Sequence, residues 1–214
     1  MPTMRSRHQV ERRSRREEYS ETTRAALVAS ALELFAEHGY ADTALEAIAS
    51  AARVTKGALY HHFPGGKKAL FAAAFDQIER DVHERLVARV VAASGNGPWD
   101  ACREALRAFL DMCLEPAYRR VVWQDGPHVM GFGDWWRCEE QYSLGLIASM
   151  MEKLMDAGVI ERLPIDPLAR TISGALAGAA TAMGVAPDPA RVREEFELVI
   201  SRMMQGLRKD NPPG

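Results

Sequence analysis

Residues 43–68, TALEAIASAARVTKGALYHHFPGGKK, constrain the fold of this chain more than any other stretch. Short helix-forming runs alternate with turn residues, which predicts two short helices followed by the start of a longer one. No acidic residue occurs between Glu46 and Asp76. The same window contains four basic residues, Arg53, Lys56, Lys67 and Lys68. A compact basic helix-turn-helix of this kind suits contact with a polyanion.

Apolar side chains recur every three or four residues along most of the chain, which predicts helices. The predicted helices are 22–38, 44–52, 56–62, 67–92, 98–114, 116–123, 134–157, 167–186 and 189–208. Thr43 and Glu46 match a capping box at the start of the second helix, and Thr55 is the predicted cap of the third. Residues 124–133 are rich in glycine and predict an irregular connection. No segment has the period of a strand, so the predicted fold is all-α with about nine helices.

The predicted organisation has three parts: an arm over 1–21, a helix-turn-helix domain over 22–66, and a helical domain over 67–214. The first 20 residues contain six Arg, three Glu and almost no apolar side chains. Such a composition predicts a flexible arm. The arm is either a basic segment that lies along DNA phosphates or a solubilising tail, and the sequence leaves both open.

Charge and cysteine content narrow the class of protein. The formal net charge is −2, so any basic surface is local. Cys102, Cys113 and Cys138 are odd in number and lack CxxC spacing, which favours a reducing compartment and buried structural thiols over a redox switch. No apolar run is long enough for a membrane span or a secretory signal. We therefore expect a cytoplasmic protein with no membrane partner.

Catalytic and metal-binding motifs are not found in the sequence. It has no metal-spaced cluster, nucleophile elbow or phosphate-binding loop, so we expect neither an enzyme nor a cofactor. His61 and His62 are adjacent, and on a helix their side chains point about 100° apart. They are therefore not expected to share a metal ion.

A set of residues around the predicted helix-turn-helix is characteristic: Gly39, Thr43, Ile48-Ala49, the run VTKGALYHHF over 54–63, and Lys67. With these residues, and with its helix lengths, the chain resembles the tetracycline-repressor (TetR-type) family of transcriptional regulators. Farther on, Asp125-Gly126-Pro127 and the small residues of 167–186 resemble the family's divergent regulatory domains. The resemblance implies an all-α homodimer in which three helices bind an operator in double-stranded DNA. The remaining helices would hold a small-molecule effector and the dimer interface.

The resemblance also implies which positions face DNA: Thr43, Arg53, Thr55, Lys56, Gly57, Ala58, Tyr60, His61 and Lys67. Gly57 and Ala58 would allow the helix backbone to lie close to the bases. Tyr60 and Lys67 suit phosphate contacts, which set orientation.

Two of these positions suit base recognition, and two residues, Arg53 and Lys68, depart from the family pattern. Lys56 and His61 are the candidates for base edges, with guanine favoured by Lys56. Arg53 stands at a turn position that is often glycine in the family. A positive φ there would cost roughly 1 kcal/mol of strain, and the guanidinium would offer another phosphate contact. Lys68 stands where the family often has an acidic residue.

A ligand cavity is predicted where aromatic side chains gather near the glycine-rich stretch. The candidates are Phe109, Trp123, His128, Met130, Phe132, Trp135, Trp136, Arg137 and Tyr142. Ordinary core packing is the alternative for each of them. His128 and Arg137 are the polar groups that would orient a ligand, which we expect to be apolar or aromatic. Gly174 and Gly178 indicate either tight internal packing or a surface for self-pairing.

Three functions remain open at this point. The first is a homodimeric repressor that binds a palindromic operator and is released by a small, apolar or aromatic ligand. The second is a transcriptional activator with the same fold. The third is a dimeric helical interaction protein without DNA binding, which the intact segment 55–63 argues against.

Overall fold

The computed structural model describes residues 4–209, and describes side chains from residue 17 onward. Its helices are α1 (Met4–Asp42), α2 (Leu45–Ala51), α3 (Lys56–His62), α4 (Gly66–Ala93), α5 (Pro98–Met112), α6 (Pro116–Tyr118), α7 (Gly126–Met130), α8 (Phe132–Asp156), α9 (Ile165–Val185) and α10 (Pro189–Gln205). A 3-10 turn, Ser94–Asn96, precedes α5, and a π-helical segment, Arg119–Asp125, joins α6 to α7.

The all-α prediction is confirmed. Because α6, the π-helical segment and α7 follow one another directly, residues 4–209 form nine helical segments. The only extended pairing in that range is an isolated bridge between Ile160 and Arg208. The chain divides into two compact units, one ending at Ala74 and the other beginning at Phe75, so the division lies inside α4.

The first helix begins earlier than predicted. α1 starts at Met4 rather than Thr22, so residues 4–21, predicted as a flexible arm, are helical in the structure. The sequence there is dominated by Arg, Glu and Gln, which are good helix formers, and a helix already nucleated downstream extends at little cost. Residues 1–3 of the arm lie outside the described residues.

The core of the first unit is aromatic and aliphatic. Leu27, Ile48 and Leu59 are fully buried, so α1, α2 and α3 each contribute to one core. The ring of Phe35 on α1 lies edge-on to Phe71 on α4, with ring centroids 5.3 Å apart. The first turns of α4 thus belong to the same core as α1–α3.

The capping box predicted at the start of α2 is wrong. Ala44 is the N-cap residue, and no side chain caps the helix. The hydroxyl of Thr43 instead donates to the carbonyl oxygens of Gly39, at 2.7 Å, and Leu34, at 3.1 Å. Gly39 has a φ of 79°, which interrupts α1 four residues before Thr43.

The second unit packs α8 and α10 against α9. Its buried cluster includes Met151, Leu154, Ile160 and Ala169. Small residues on α9, such as Ala177, let neighbouring helices approach it closely, and Ala177 is buried.

The irregular connection predicted over 124–133 is also wrong. These residues are helical except at Gly131, whose φ of 87° separates α7 from α8. Pro127 is the second residue of α7 and follows the π-helical segment directly. A Cβ on Gly126 would come within 2.9 Å of the Trp135 ring and 3.2 Å of the Phe75 ring, so glycine is required for this close packing.

Candidate nucleic-acid interface and ligand cavity

The recognition-type helix α3 is held by its cap and its buried face. The Oγ1 atom of Thr55 accepts a hydrogen bond from the backbone N–H of Ala58 at 3.2 Å, as the sequence predicts. Leu59 and Phe63 are buried, again as predicted. The cap and the two apolar side chains fix which face of α3 is exposed.

The exposed face of α3 carries Lys56, Gly57, Tyr60 and His61, while Ala58 is half-buried. A Cβ built on Gly57 meets no heavy atom closer than the Thr55 Oγ1, at 3.9 Å. The backbone at Gly57 is therefore open to any surface that approaches this face. The exposed groups are a cation, a phenol and an imidazole, which between them can contact phosphates and base edges.

Lys56 has an acidic partner within the domain. Its Nζ lies 2.6 Å from Oε1 of Glu46 on α2, and both side chains are well exposed. The hydrogen bond and charge of Glu46 raise the pKa of Lys56, and those of Lys56 lower the pKa of Glu46. Because the pair is exposed, solvent screens it, and a phosphate can compete for the ammonium.

Lys67 is placed differently from the other cations. It is half-buried, donates from Nζ to the carbonyl oxygen of Ala41 at 3.1 Å, and lies 4.4 Å from the centroid of the Tyr40 ring. These contacts connect the first turn of α4 to the end of α1. Lys68 is exposed.

Arg53 forms the turn between α2 and α3 with a φ of 56°. This is the left-handed conformation for which the family often has glycine. The Arg53 side chain is exposed. Thr43, by contrast, is 3% exposed and its hydroxyl is directed at backbone carbonyls. A phosphate contact through the Thr43 side chain is therefore not available in this conformation.

The second unit contains a cavity bounded by α5, α8, α9 and α10, with Leu86 of α4 in its wall. The cavity has a volume of about 100 Å³, whereas one water needs roughly 10–15 Å³. The cavity can thus hold a small organic molecule. Its lining is mainly apolar and includes Trp99, Phe109, Leu146, Ile147, Met150 and Met204.

The polar part of the lining is centred on Glu139 of α8. Glu139 is 5% exposed, and its Oε2 accepts a hydrogen bond from Ser143 Oγ at 3.2 Å. Ser143 Oγ also lies 3.3 Å from Ser173 Oγ on α9. Burial raises the pKa of Glu139 to about 7, and the Ser143 hydrogen bond offsets part of that rise.

A second buried carboxyl group, Glu79 of α4, lies behind the cavity wall. Burial, followed by the charge of Glu139, raises the pKa of Glu79 well above its usual range. The hydroxyl of Tyr118 donates to Glu79 Oε2 at 3.5 Å, and Oε1 has no hydrogen-bond partner among the described residues. Two acids in one apolar region are costly to ionise together.

Residues 27–74 match the family described as bacterial regulatory proteins, tetR family, and residues 99–207 match the tetracyclin repressor-like C-terminal domain. The chain belongs to the TetR family. The resemblance drawn from the sequence is thereby confirmed, and the chain is by family a helix-turn-helix transcriptional regulator.

Individual relatives of this TetR-family chain span most of its length. A TetR-family transcriptional regulator from Pectobacterium atrosepticum is 34% identical with a TM-score of 0.81, and the match covers 90% of this chain and 97% of that one. The transposon Tn10 TetC protein of Escherichia coli is 26% identical, over 77% of this chain and 82% of its own. The probable acrEF/envCD operon repressor of Escherichia coli K12 is 28% identical, over 73% of each.

The predicted ligand residues divide into two groups. Phe109 and Tyr142 line the cavity of this TetR-family chain. The other seven lie outside its lining: Trp123, His128, Met130, Phe132, Trp135, Trp136 and Arg137.

The aromatic cluster near α7 packs on itself instead of surrounding the cavity. Trp123 and Trp135 are buried with ring centroids 5.6 Å apart, and Trp135 Nε1 donates to the Val122 carbonyl at 2.9 Å. Phe132 is 68% exposed and stacks on Trp136. These aromatic side chains pack against one another and lie outside the lining of this cavity.

The two polar groups predicted to orient a ligand are both exposed. Nδ1 of His128 lies 2.9 Å from the Gln124 carbonyl, and Arg137 donates to Asp134 one turn earlier on α8. Neither reaches the cavity.

Sequence reasoning found Tyr142 but missed the other cavity residues of α8. Glu139, Ser143, Leu146, Ile147 and Met150 line the cavity and, with Tyr142, recur every three or four residues. A single carboxylate on an otherwise apolar helical face was the available signal.

The cysteines are poor nucleophiles at neutral pH. Burial raises the pKa of Cys102, which lines the cavity, to about 11. Burial also raises the pKa of Cys113 and of Cys138. All three are free thiols.

Metal sites and membrane spans are absent from the part of the chain that the structure describes. Within it, no three His, Cys, Asp or Glu side chains gather closely enough to hold a metal ion. Nor is any helix in that part both long and apolar enough to cross a membrane.

Proposed function

We propose that this TetR-family chain is a repressor that binds a palindromic operator as a homodimer and is released by a small ligand. The observation that carries the DNA part is the face of α3. Lys56, Gly57, Tyr60 and His61 are exposed together on a capped helix, in a segment that matches the family's DNA-binding region. A repressor is favoured over an activator because one relative is named as an operon repressor.

The DNA part is tested by footprinting with duplexes from upstream of the chain's own gene and with duplexes selected from a random pool. We expect a two-fold symmetric protected site and an affinity that falls steeply as salt rises. Lys56→Gln should weaken binding at least roughly five-fold, which corresponds to about 1 kcal/mol or more of base recognition. Lys153→Gln, the same change on an exposed side chain of α8, is the matched control.

Absence of a protected site in both kinds of duplex would contradict the proposal. Equal losses for Lys56→Gln and Lys153→Gln would show that only net charge matters, and would remove the assignment of α3.

The homodimer part is supported by apolar side chains at the end of the chain. Val185 of α9 and Leu198, Val199 and Met203 of α10 are between 54% and 81% exposed. Val199 and Met203 are four residues apart and so share one face of α10. Exposed apolar side chains grouped in this way favour contact with a second copy.

The interface is tested by sedimentation of the Met203→Glu variant, with Val91→Glu as the control. Val91 is 67% exposed on α4. We expect wild type and Val91→Glu to be dimers and Met203→Glu to be shifted toward monomer. A dimer unaffected by Met203→Glu would place the interface elsewhere.

The ligand part is supported by the cavity, whose lining is mainly apolar. α4 contributes Leu86 to the cavity and its first turns to the DNA-binding unit. A ligand that favours one position of α4 would therefore shift DNA affinity, by no more than its difference in affinity for the two states.

A further inference from the structure

We propose that the cavity bounded by α5, α8, α9 and α10 binds an organic cation, with Glu139 as the counter-ion. The inference rests on the proposed function in one respect, since it takes this cavity as the effector site. The cation class itself is argued from the cavity alone.

The first observation is the placement of Glu139. It lines the cavity, yet 95% of its surface is removed from solvent, and Ser143 supplies its hydrogen bond. Within residues 17–209 no arginine, lysine or histidine forms an ion pair with it. Burial of an acid without a cationic partner is costly, and a bound cation would supply the missing partner.

The second observation is the absence of a competing cation inside the cavity of the described chain. Arg103 is the basic residue in the lining, and it is exposed, with its guanidinium 3.5 Å from Asp100. It therefore lies at the rim and already has an acidic neighbour. A ligand anion would find no buried positive group in this lining, whereas a ligand cation would find a buried carboxyl group.

The third observation is the chemistry of the rest of the wall. Phe109 and Tyr142 provide aromatic surfaces within the same cavity. Tyr142 precedes Ser143 and lies three residues from Glu139, so the ring and the carboxyl group share one face of α8. Aromatic faces and a carboxylate are the groups that together bind quaternary ammonium ions. The remaining lining is apolar and matches a hydrocarbon or aryl substituent.

The probe is phenyltrimethylammonium, with tert-butylbenzene as a neutral molecule of nearly the same shape. Binding to the full-length protein without DNA is measured by calorimetry at pH 6 and pH 8. The ammonium ion does not titrate, so any pH dependence belongs to the protein. Only ionised Glu139 attracts the cation, and its ionised fraction rises with pH.

With a pKa of about 7, the expected affinity for the cation is about ten-fold higher at pH 8 than at pH 6. The affinity for tert-butylbenzene should not change over this range. At pH 8 the cation should bind at least about ten-fold more tightly than its neutral counterpart. Equal binding of the two probes at pH 8 would overturn the proposal.

Other titratable or charged groups face this region from the neighbouring elements. They are Asp76, Glu79 and His83 of α4, Cys102 and Arg103 of α5, Cys113 at the end of α5, Tyr118 of α6, and Glu140 of α8. Variants of two adjacent acids separate Glu139 from all of them. Glu139→Gln should abolish the pH dependence and weaken cation binding by much more than ten-fold at pH 8. Glu140→Gln, which removes an ion pair between the half-buried Glu140 and the exposed Arg170, should retain both.

Retention of the pH dependence in Glu139→Gln would reject Glu139 as the counter-ion. If that variant does not fold, the comparison of the two probes on wild type still decides the proposal. Binding of the cation without any loss of operator affinity would leave the cation site intact and reject its role as the effector site.

Discussion

Replacement of Gly57 by alanine separates the fold of α3 from its use as a DNA-binding surface. Gly57 lies in the first turn of α3, and a Cβ there meets nothing closer than 3.9 Å. Its φ is not among the positive values of the chain. Alanine therefore fits the helix without strain and without a clash in the DNA-free protein.

The stability of Gly57→Ala should rise. Glycine in a helix is less favourable than alanine by roughly 0.5–1 kcal/mol, and the substitution removes that penalty. For a protein of this length the midpoint of thermal unfolding should increase by about 1–4 °C. Calorimetry or circular dichroism of the purified variant measures this increase.

The DNA affinity of the same variant should fall. If the exposed face of α3 enters the major groove, the added methyl group occupies space between the backbone and the bases. Overpacking of a close interface costs about 1–3 kcal/mol, which is roughly a five- to 150-fold increase in Kd. Fluorescence anisotropy with a labelled operator duplex measures the change.

Gly145→Ala provides the matched control. Gly145 lies inside α8, is exposed, and a Cβ there would have no heavy atom within 4 Å, so the chemical change is the same. It should gain similar stability and keep its DNA affinity. A Gly57→Ala variant whose Kd for the operator stays within about two-fold of wild type would refute a close approach of DNA to this part of α3.

Three other substitutions test separate features of the chain. Arg53→Gly should relieve roughly 1 kcal/mol of backbone strain, which urea unfolding would measure as a gain in stability. It should also lower the salt dependence of DNA binding by about one counter-ion. Unchanged stability would show that the left-handed turn is not strained. Glu46→Gln should free Lys56 and tighten DNA binding with a steeper salt dependence, so a weaker complex would contradict competition between Glu46 and phosphate. Glu139→Gln should gain stability over wild type as pH rises from 5 to 8, by up to about 3 kcal/mol. The folded-state pKa of Glu139 lies above its usual value, so wild type loses stability as pH rises through about 7; parallel stability curves for the two proteins would refute this.

Features set by local interactions were predictable from the sequence. The limits of α3, its Thr55 cap and the turn at Arg53 depend on residues close together in the chain, and all three are found in the structure. The prediction that Thr43 caps α2 was wrong because its hydroxyl has other hydrogen-bond partners. The hydroxyl binds the carbonyl oxygens of Leu34 and Gly39 on the preceding helix and makes no capping hydrogen bond with an N–H group of α2.

The cavity was not predictable in the same way. Its wall combines side chains from helices that are distant in sequence, such as Phe109 of α5, Ser173 of α9 and Met204 of α10. The aromatic cluster is conspicuous in the sequence, but in the structure its rings pack against one another outside this cavity. Glu139 was the better indication of the cavity in the sequence, because the cost of burying an acid must be offset by a partner.

The contacts of the two lysines nearest α3 determine how each can contribute to DNA binding. Lys56 and Glu46 are both exposed, so replacing the Glu46 carboxylate by a DNA phosphate changes the solvation of Lys56 little. The gain in DNA affinity is therefore only the difference between the free energies with which Lys56 binds the phosphate and the carboxylate. Lys67 is half-buried between the Ala41 carbonyl and the Tyr40 ring, and its removal leaves that carbonyl without its donor. A Lys67→Ala variant would therefore lose contacts between α1 and α4 as well as any phosphate contact. Loss of operator binding in that variant would report on both kinds of contact at once. Substitutions at Lys56 and Gly57 change only exposed groups, which are the surface of α3 and, for Lys56, its ion pair with Glu46 of α2.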